Sequence, residues 1–335
     1  MDQQETDQYG GTQETGVQQI DIEQYGMEQQ FMPQGIMPQR TIISRAGFAL
    51  FIMAIVVLLT QFIIEILVSI INPEIAESTW YALVVTAISI VGVGLPVYSV
   101  MMKRIPDSIK GEVVKMKFSH FIVLFFICSA VMYITNFFSI FLTMIIALLK
   151  GEDIMSLVNP LQEVLAGSNF IITLIYASLV APIVEEIIFR KLLLDKLRRF
   201  GDVPAILMTG IAFGLFHMNL SQFFYATALG FIFAYITIKT NTVRYSIILH
   251  IMINFIGTIV APMATKQNIF FSLIIVFWML TAITLGVVFF ILNVKKIKLE
   301  RAAIPVENKS IFFVNLGTIL YTVICLVMIT YVTLF

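Results

Sequence analysis

Residues 170–199 read FIITLIYASLVAPIVEEIIFRKLLLDKLRR. The first half, up to Val184, is apolar on every side, and the second half is amphipathic at helical spacing. A helix of this length is about 45 Å long, which exceeds the roughly 30 Å of hydrocarbon in a bilayer. Pro182 stands where the character changes and is expected to kink the helix or open its hydrogen-bond ladder. The stretch is therefore predicted to enter a membrane with its glutamates facing a cavity rather than lipid.

The rest of the chain has the composition of a membrane protein. Of 335 residues, 59% are hydrophobic and 13% charged, and the mean hydropathy is +0.93; a soluble domain carries about 25% charged residues. Eight further apolar segments accompany the stretch 170–199. They lie at 46–71, 80–102, 119–149, 203–218, 222–239, 244–263, 268–293 and 311–335. They predict an all-α, polytopic transmembrane helix bundle of about eight to nine spans. The net charge of zero gives no argument for a nucleic-acid partner, and the lipid bilayer is the expected surrounding.

Basic loops alternate with neutral or acidic ones along the chain. Arg40 and Arg45 precede the first apolar segment, and Glu74 and Glu77 follow it. The later basic loops carry Lys103, Arg104, Lys110, Lys115, Lys117, Lys191, Lys196, Arg198, Arg199, Lys239, Arg244, Lys295, Lys296, Lys298 and Arg301. By the positive-inside rule the N-terminus is predicted to be cytoplasmic and, with nine crossings, the C-terminus to be outside. The expected location is a cell membrane, which the chain crosses several times.

The chain divides into four predicted regions. Residues 1–40 are rich in Gln, Glu, Asp and Gly and are predicted to be a disordered polar cytoplasmic tail without a secretory signal. Residues 41–168 and 264–335 are predicted to be outer transmembrane helices, and 169–263 the core that carries the chemistry. Cys128 and Cys325 lie far apart inside apolar runs, so they are interpreted as small apolar side chains without a disulfide.

The two glutamates of the first stretch are expected to have different tasks. Glu185 and Glu186 are neighbours and therefore point about 100° apart on a helix. Glu186 and Arg190 have the i, i+4 spacing of an intrahelical ion pair. Glu185 then has no partner along the helix and is free to face a cavity. A carboxylate in such a setting is a candidate general base.

Further polar residues follow within the next apolar segments. If residues 200–204 form a hairpin turn, Glu186 and His217 are both about 15 residues from it and lie about 20 Å above it, level with each other. His250 and Asn254 have i, i+4 spacing and share one helix face. The depth of His250 stays open, because residues 239–244 could dip inward or the helix could be steeply tilted. Ionisable groups at membrane depth point to function.

Three other polar residues are isolated in the sequence. Glu65, His120 and Asn136 have no neighbouring partner of this kind. We interpret them as structural or interfacial residues.

The polar residues fall into three motifs that resemble those of a known family. Residues 185–190, EEIIFR, resemble the EExxxR motif of the CAAX-protease and bacteriocin-processing (CPBP, or Abi) family. Residues 213–217, FGLFH, resemble its FxxxH motif, and residues 250–254, HIMIN, its HxxxN motif. The resemblance spans about residues 170–257 and keeps the order of the family's motifs. Lys191 departs from it, since many members have a small Gly after the Arg.

The resemblance implies a membrane-embedded endopeptidase, similar to the type II CAAX prenyl endopeptidases, that acts on a membrane-associated peptide or protein. It implies that Glu185 and His217 activate water and that His250 and Asn254 stabilise the oxyanion. Glu186 and Arg190 would be an orienting pair. Zn²⁺ is an alternative cofactor, for which Glu185, His217 and His250 would be the three ligands. The absence of an HExxH pattern favours glutamate chemistry without metal, although such proteins are commonly grouped with metalloproteases.

Two other classes of function stay open. The chain could bind a peptide without cleaving it, as a bacteriocin-immunity protein, but such a protein has no need to keep Glu185 and His217 together. It could instead be a proton-coupled transporter that uses its buried Glu and His residues as a relay, but no inverted repeat is evident. Comparison of membrane peptidomes with and without Glu185 would separate these classes.

Overall fold

A computed structural model describes residues 37–78, 80–108, 110–151, 169–263, 269–302, 306 and 308–334. All regular structure in these ranges is helical. The described residues from Gln39 onward form one compact unit. The predicted tail lies almost entirely outside the described ranges. The predicted domain boundaries after residues 168 and 263 stay predictions.

Seven of the described helices are long and apolar enough to cross a membrane. They are α1 (Gln39–Ile71), α2 (Tyr81–Met102), α3 (Phe118–Lys150), α4 (Phe170–Phe200), α6 (Leu220–Thr240), α8 (Ile269–Lys296) and α9 (Leu316–Leu334). Two shorter apolar helices are α5 (Asp202–Phe216) and α7 (Arg244–Val260). Each helix lies on one of the nine predicted segments. The polytopic all-α fold is therefore confirmed, and the expected eight to nine spans are close to the seven long helices. The cytoplasmic N-terminus stays a prediction.

Tight turns bound α5 at both ends and α7 at its start. Gly201 separates α4 from α5 with a φ of 91°, a backbone conformation that favours glycine. Met218 ends the other side of α5 with a φ of 51°, and Asn241 ends α6 with a φ of 52°. The side chain of Asn219 then caps α6 by accepting from the Gln222 N–H at 2.8 Å. These turns return the chain directly into the bundle, which brings α4, α5, α6 and α7 together.

The helices pack around an apolar cluster beneath the polar motifs. α5 packs against α6, α6 against α3, and α7 against α4. The close approach of α5 and α6 needs glycine, because a Cβ on Gly230 would lie 2.9 Å from Gly210 Cα. The cluster joins α3, α6 and α7 through Cys128, Met132, Leu229, Phe233, Ile236, Leu249, Ile253 and Ile256. Both cysteines are free and buried, as predicted.

Helix α4 is not a regular α-helix. The α-helical turns Ala181–Glu186 lie between two π-helical segments, Leu174–Val180 and Ile187–Leu193. Pro182 lies in the first turn of the middle segment, where its missing N–H removes a donor from the ladder. The predicted break at Pro182 is thus a widened turn. π-Helical insertions are frequent at functional sites, and here they flank both glutamates.

The loop between α2 and α3 crosses one end of the bundle. The Ser108 N–H donates to the carbonyl of Asp195 in α4 at 2.9 Å, and the Val114 N–H donates to the carbonyl of Thr240 at the end of α6 at 3.0 Å. Lys196 of α4 is buried and donates to Asp107 Oδ1 at 2.5 Å and to the carbonyl of Ile105 at 2.7 Å. The loop therefore ties the end of α4 to the turn that precedes α7.

Candidate active site

The candidate site lies where α4 and α7 face each other. His250 of α7 is 3% exposed. Its Nδ1 lies 3.0 Å from Glu186 Oε1, and its Nε2 lies 3.6 Å from Glu185 Oε2. Because a carboxylate accepts, Nδ1 donates to Glu186. This bond turns Nε2 towards Glu185.

Glu186 and Arg190 form the ion pair that their i, i+4 spacing predicts. Arg190 Nη1 lies 3.1 Å from Glu186 Oε1, and both side chains are fully buried. Arg190 Nη2 donates to the carbonyl of Gly230 in α6 at 3.3 Å. Glu186 Oε1 thus contacts both Arg190 and His250. Together with the bond from Arg190 to Gly230, these contacts link α4, α6 and α7.

Arg190 is also surrounded by aromatic rings. Its guanidinium carbon lies 4.5 Å from the ring centroid of Phe213, 5.4 Å from that of Phe233 and 6.0 Å from that of Phe189. The negative face of an aromatic ring attracts a cation. Sequence reasoning missed this role for the phenylalanines, although Phe213 is the first residue of the FxxxH pattern.

His217 directly follows α5. Its Nδ1 donates to the carbonyl of Phe213 at 3.0 Å, which leaves Nε2 free to accept a proton. The ring of Phe213 lies 5.0 Å from the imidazole of His217 and 5.6 Å from that of His250, so the two histidines border one region. The ring of Tyr225 in α6 packs edge-to-face against the His217 imidazole, with centroids 6.4 Å apart. His217 therefore lies beside the cluster formed by α4 and α7, and its level relative to Glu186 stays a prediction.

Asn254 lies one turn beyond His250 on α7. Its Nδ2 donates to the carbonyl of Ala177 at 3.1 Å. This carbonyl belongs to the first π-helical segment of α4. A side-chain amide has two N–H donors, so one anchors α7 to α4 and the second can serve another acceptor.

The structure thus brings the six sequence-predicted residues into one region. Glu185, Glu186, Arg190 and His250 form a contiguous cluster, with His217 and Asn254 beside it. His120 lies at the exposed start of α3, and Glu65 is exposed on α1. Sequence reasoning missed the Glu186–His250 contact, because it joins residues 64 positions apart. The roles assigned to the six residues stay predictions.

The donor set for zinc is incomplete in this arrangement. The 3.6 Å between Glu185 Oε2 and His250 Nε2 is a separation that two ligands of one ion can have. However, no group of three His, Cys, Asp or Glu side chains within the described ranges is arranged to hold a metal ion. Glu185, His217 and His250 do not form such a group as they are placed here, and a zinc cofactor stays an alternative prediction.

Comparison with known proteins supports a peptidase domain. Residues 167–256 match the family model "Type II CAAX prenyl endopeptidase Rce1-like". Over 82 residues the chain is 37% identical to a protein of Bacillus subtilis (strain 168) named "Putative membrane peptidase YdiL". This stretch is 24% of the chain and 34% of the relative, so the chain spans about a third of the length of the curated relative it matches. No solved structure matches the chain. The segment that carries all six site residues is therefore the part of the chain that is similar to the Rce1-like, type II CAAX prenyl endopeptidase family.

Proposed function

We propose that the protein is an intramembrane endopeptidase that hydrolyses a peptide bond of a membrane-associated peptide or protein. One observation carries the proposal. Glu185 Oε2 is buried, and it has no hydrogen-bond partner among the described residues. A buried acceptor without a partner is costly in a structural role. The Rce1-like domain and the similarity to a membrane peptidase point in the same direction.

Glu185 is the proposed general base. A water molecule that donates to Glu185 Oε2 would lie close to His250 Nε2, because these two atoms are 3.6 Å apart. The free Nε2 of His217 could accept from the same water. Glu185 takes a proton as the water oxygen attacks the carbonyl carbon, and it then returns that proton to the leaving amine. Proton transfer by one positioned group contributes roughly 10²–10⁴-fold to the rate.

His250 and Asn254 are the proposed donors to the oxyanion. In its doubly protonated form, His250 donates Nδ1–H to Glu186 and Nε2–H towards the reacting carbonyl oxygen. Asn254 has a second N–H besides the one on Ala177. Each donor of this kind contributes about 2.7–4 kcal/mol to transition-state stabilisation. Glu186 fixes the imidazole, and Arg190 balances the charge of Glu186.

The membrane setting fits this chemistry. Glu186 and Arg190 are fully buried, and His250 is 3% exposed. Electrostatic interactions are strong where water is excluded. A substrate that is itself held in the membrane can reach such a site without first entering the aqueous phase. We therefore propose membrane-associated peptides or proteins as the substrate class.

Quantitative membrane peptidomics tests the proposal. Cells that produce the wild-type protein are compared with cells that produce Glu185→Gln. Glu65→Gln is the matched control, since Glu65 is an exposed carboxylate of α1. We expect a set of peptides that is present with the wild type and with Glu65→Gln and absent with Glu185→Gln. Identical peptidomes at equal abundance of the three proteins would contradict an endopeptidase and favour peptide binding without cleavage.

A further inference from the structure

Arg190 has few hydrogen bonds for a buried guanidinium. The side chain is fully buried, and Nη2 donates to the carbonyl of Gly230. Nε and Nη1 have no hydrogen-bond partner in the described part of the chain, although Nη1 faces Glu186 in the ion pair. A buried charge needs compensation. Glu186 supplies most of that compensation, and the aromatic rings around Arg190 add to it.

Phe213 differs from the other two rings. Its centroid is the nearest of the three to the guanidinium, at 4.5 Å. The same ring lies 5.0 Å from the imidazole of His217 and 5.6 Å from that of His250, at interplanar angles of 82° and 86°. The ring centroid of Phe233 lies 5.4 Å from the guanidinium carbon of Arg190 and 5.0 Å from the centroid of the His250 ring. Of the rings around Arg190, Phe213 is thus the one in contact with both histidines in the described structure.

The position of Phe213 in the sequence explains these contacts. Phe213 and His217 are i and i+4, so their side chains lie on the same face of the helix. The carbonyl of Phe213 also accepts from His217 Nδ1. Phe213 itself is 1% exposed. One residue therefore holds His217 through its backbone and meets both imidazoles and the guanidinium through its ring.

We propose that Phe213 is a positioning residue that fixes Arg190, His217 and His250 relative to one another. Its face holds the cation of Arg190, and its contacts with the two imidazoles fix their ring planes. Loss of the Phe213 ring would remove one contact from each histidine, whereas loss of the Phe233 ring would remove a contact from His250 alone. The consequence for catalysis rests on the proposed peptidase function, but the effect on the histidines does not.

Histidine NMR separates these outcomes without a substrate. The chain has three histidines, and His120 lies at the exposed start of α3, where it serves as an internal reference. In ¹⁵N-histidine-labelled protein in nanodiscs, we expect Phe213→Leu to shift the side-chain signals of His217 and His250. Phe233→Leu should shift those of His250 only. Phe200→Leu is the matched control, because Phe200 is a buried ring that packs on Phe312 away from the site, and it should shift neither.

Fluorinated phenylalanine at position 213 tests the interaction with the cation. Successive fluorine atoms weaken the negative face of the ring and largely keep its shape. We expect the Tm of the detergent-solubilised protein to fall stepwise along the series. The same series at Phe200, and the series at Phe213 in an Arg190→Met background, should leave Tm flat. The Phe200 series provides the baseline even if Arg190→Met does not fold.

Cleavage activity is measured through the product whose formation depends on Glu185. Phe213→Leu should lower kcat roughly tenfold with KM unchanged, as for the loss of one positioning contact. A flat Tm series at Phe213, or Phe213→Leu signals that leave either histidine unmoved, would overturn the positioning role. Identical peptidomes for the wild type and Glu185→Gln would instead refute the proposed peptidase function. The NMR and Tm results would then decide the role of Phe213.

Discussion

His250 Nδ1 lies 3.0 Å from Glu186 Oε1, although the two residues are 64 positions apart in the chain. The contact gives Glu186 a second partner besides Arg190. It also directs the opposite nitrogen of the imidazole to Glu185. The adjacent glutamates therefore differ in their surroundings, since one is held by two basic groups and the other faces the imidazole at a longer distance.

Glu185→Gln is expected to abolish cleavage while leaving insertion, abundance and Tm unchanged. Glutamine keeps the shape of the side chain but cannot take a proton from water, so the loss should be at least about 10²-fold. Turnover of a substrate identified by peptidomics and a thermal melt of the same preparation measure the two properties. Near-normal turnover by the variant would refute the assignment of Glu185 as the general base.

Arg190→Ala is expected to destabilise the protein much more than Glu185→Gln. Removal of one partner from a buried ion pair leaves an uncompensated charge, which costs about 3–5 kcal/mol. Glu186→Ala should behave similarly, because it leaves Arg190 and His250 without their shared acceptor. Folded yield by size-exclusion chromatography and Tm in detergent are the measurements. Equal Tm values for Arg190→Ala and Glu185→Gln would show that Arg190 is merely interfacial.

The histidines and Asn254 should differ in their effects on activity. His217→Ala is expected to be close to inactive with little change in Tm, because His217 bonds to a backbone carbonyl of its own helix. Asn254→Ala should be impaired but measurable and stay above Glu185→Gln, since His250 remains as a donor. Single-turnover assays at matched protein concentration measure the rates. Full activity of Asn254→Ala would exclude it from the oxyanion site.

The metal question is decided by measuring zinc and activity in one preparation. We expect the purified protein to be active without stoichiometric zinc and to keep its activity through a chelation series. The reason is that the described residues present no three-ligand group for the ion. Mass spectrometry of the metal content accompanies each assay. One zinc per chain, lost in His250→Ala together with all activity, would establish a zinc peptidase instead.

The ion pair of Asp107 with Lys196 predicts a small dependence of stability on pH. Asp107 lies in the loop between α2 and α3, and the Lys196 ammonium lowers the pKa of its carboxyl below the ordinary value of 3.8. Stability from this pair is therefore fully present above that value and is lost as pH falls through the lower pKa of the folded protein. Because the Asp107 side chain is 69% exposed, Asp107→Asn should cost at most about 1 kcal/mol at neutral pH.

Thermal melts of the wild type and Asp107→Asn from neutral to acidic pH measure this effect. The difference in Tm should shrink towards zero at the acidic end of the series. Glu112→Gln is the control, since Glu112 is an exposed carboxylate of the same loop. A constant difference across the pH range would show that Asp107 acts through something other than its charge.

The sequence by itself determined the all-α membrane fold, because runs of apolar residues can satisfy their backbone groups in lipid only as helices. It also determined the Glu186–Arg190 pair, since i, i+4 contacts depend on helix geometry alone. Counting residues to a turn at 200–204 predicted that His217 is level with Glu186, and Gly201 does lie in such a turn. The depth of His250 did not follow in this way. It depends on how α7 packs against α4, and the turn at Asn241 that starts α7 carries no distinct signal in one sequence.

Only the tertiary structure decided which groups meet across helices. The sequence placed His250 and Asn254 on one helix face, and the fold adds their partners on α4, which are Glu186 for His250 and the carbonyl of Ala177 for Asn254. The fold likewise places the ring of Phe213 against the guanidinium of Arg190. Each of these contacts joins residues on different helices, so their geometry is set by helix packing and by the close approach at Gly210 and Gly230. Local periodicity fixes the face of a helix, but the partner of that face is a property of the whole bundle.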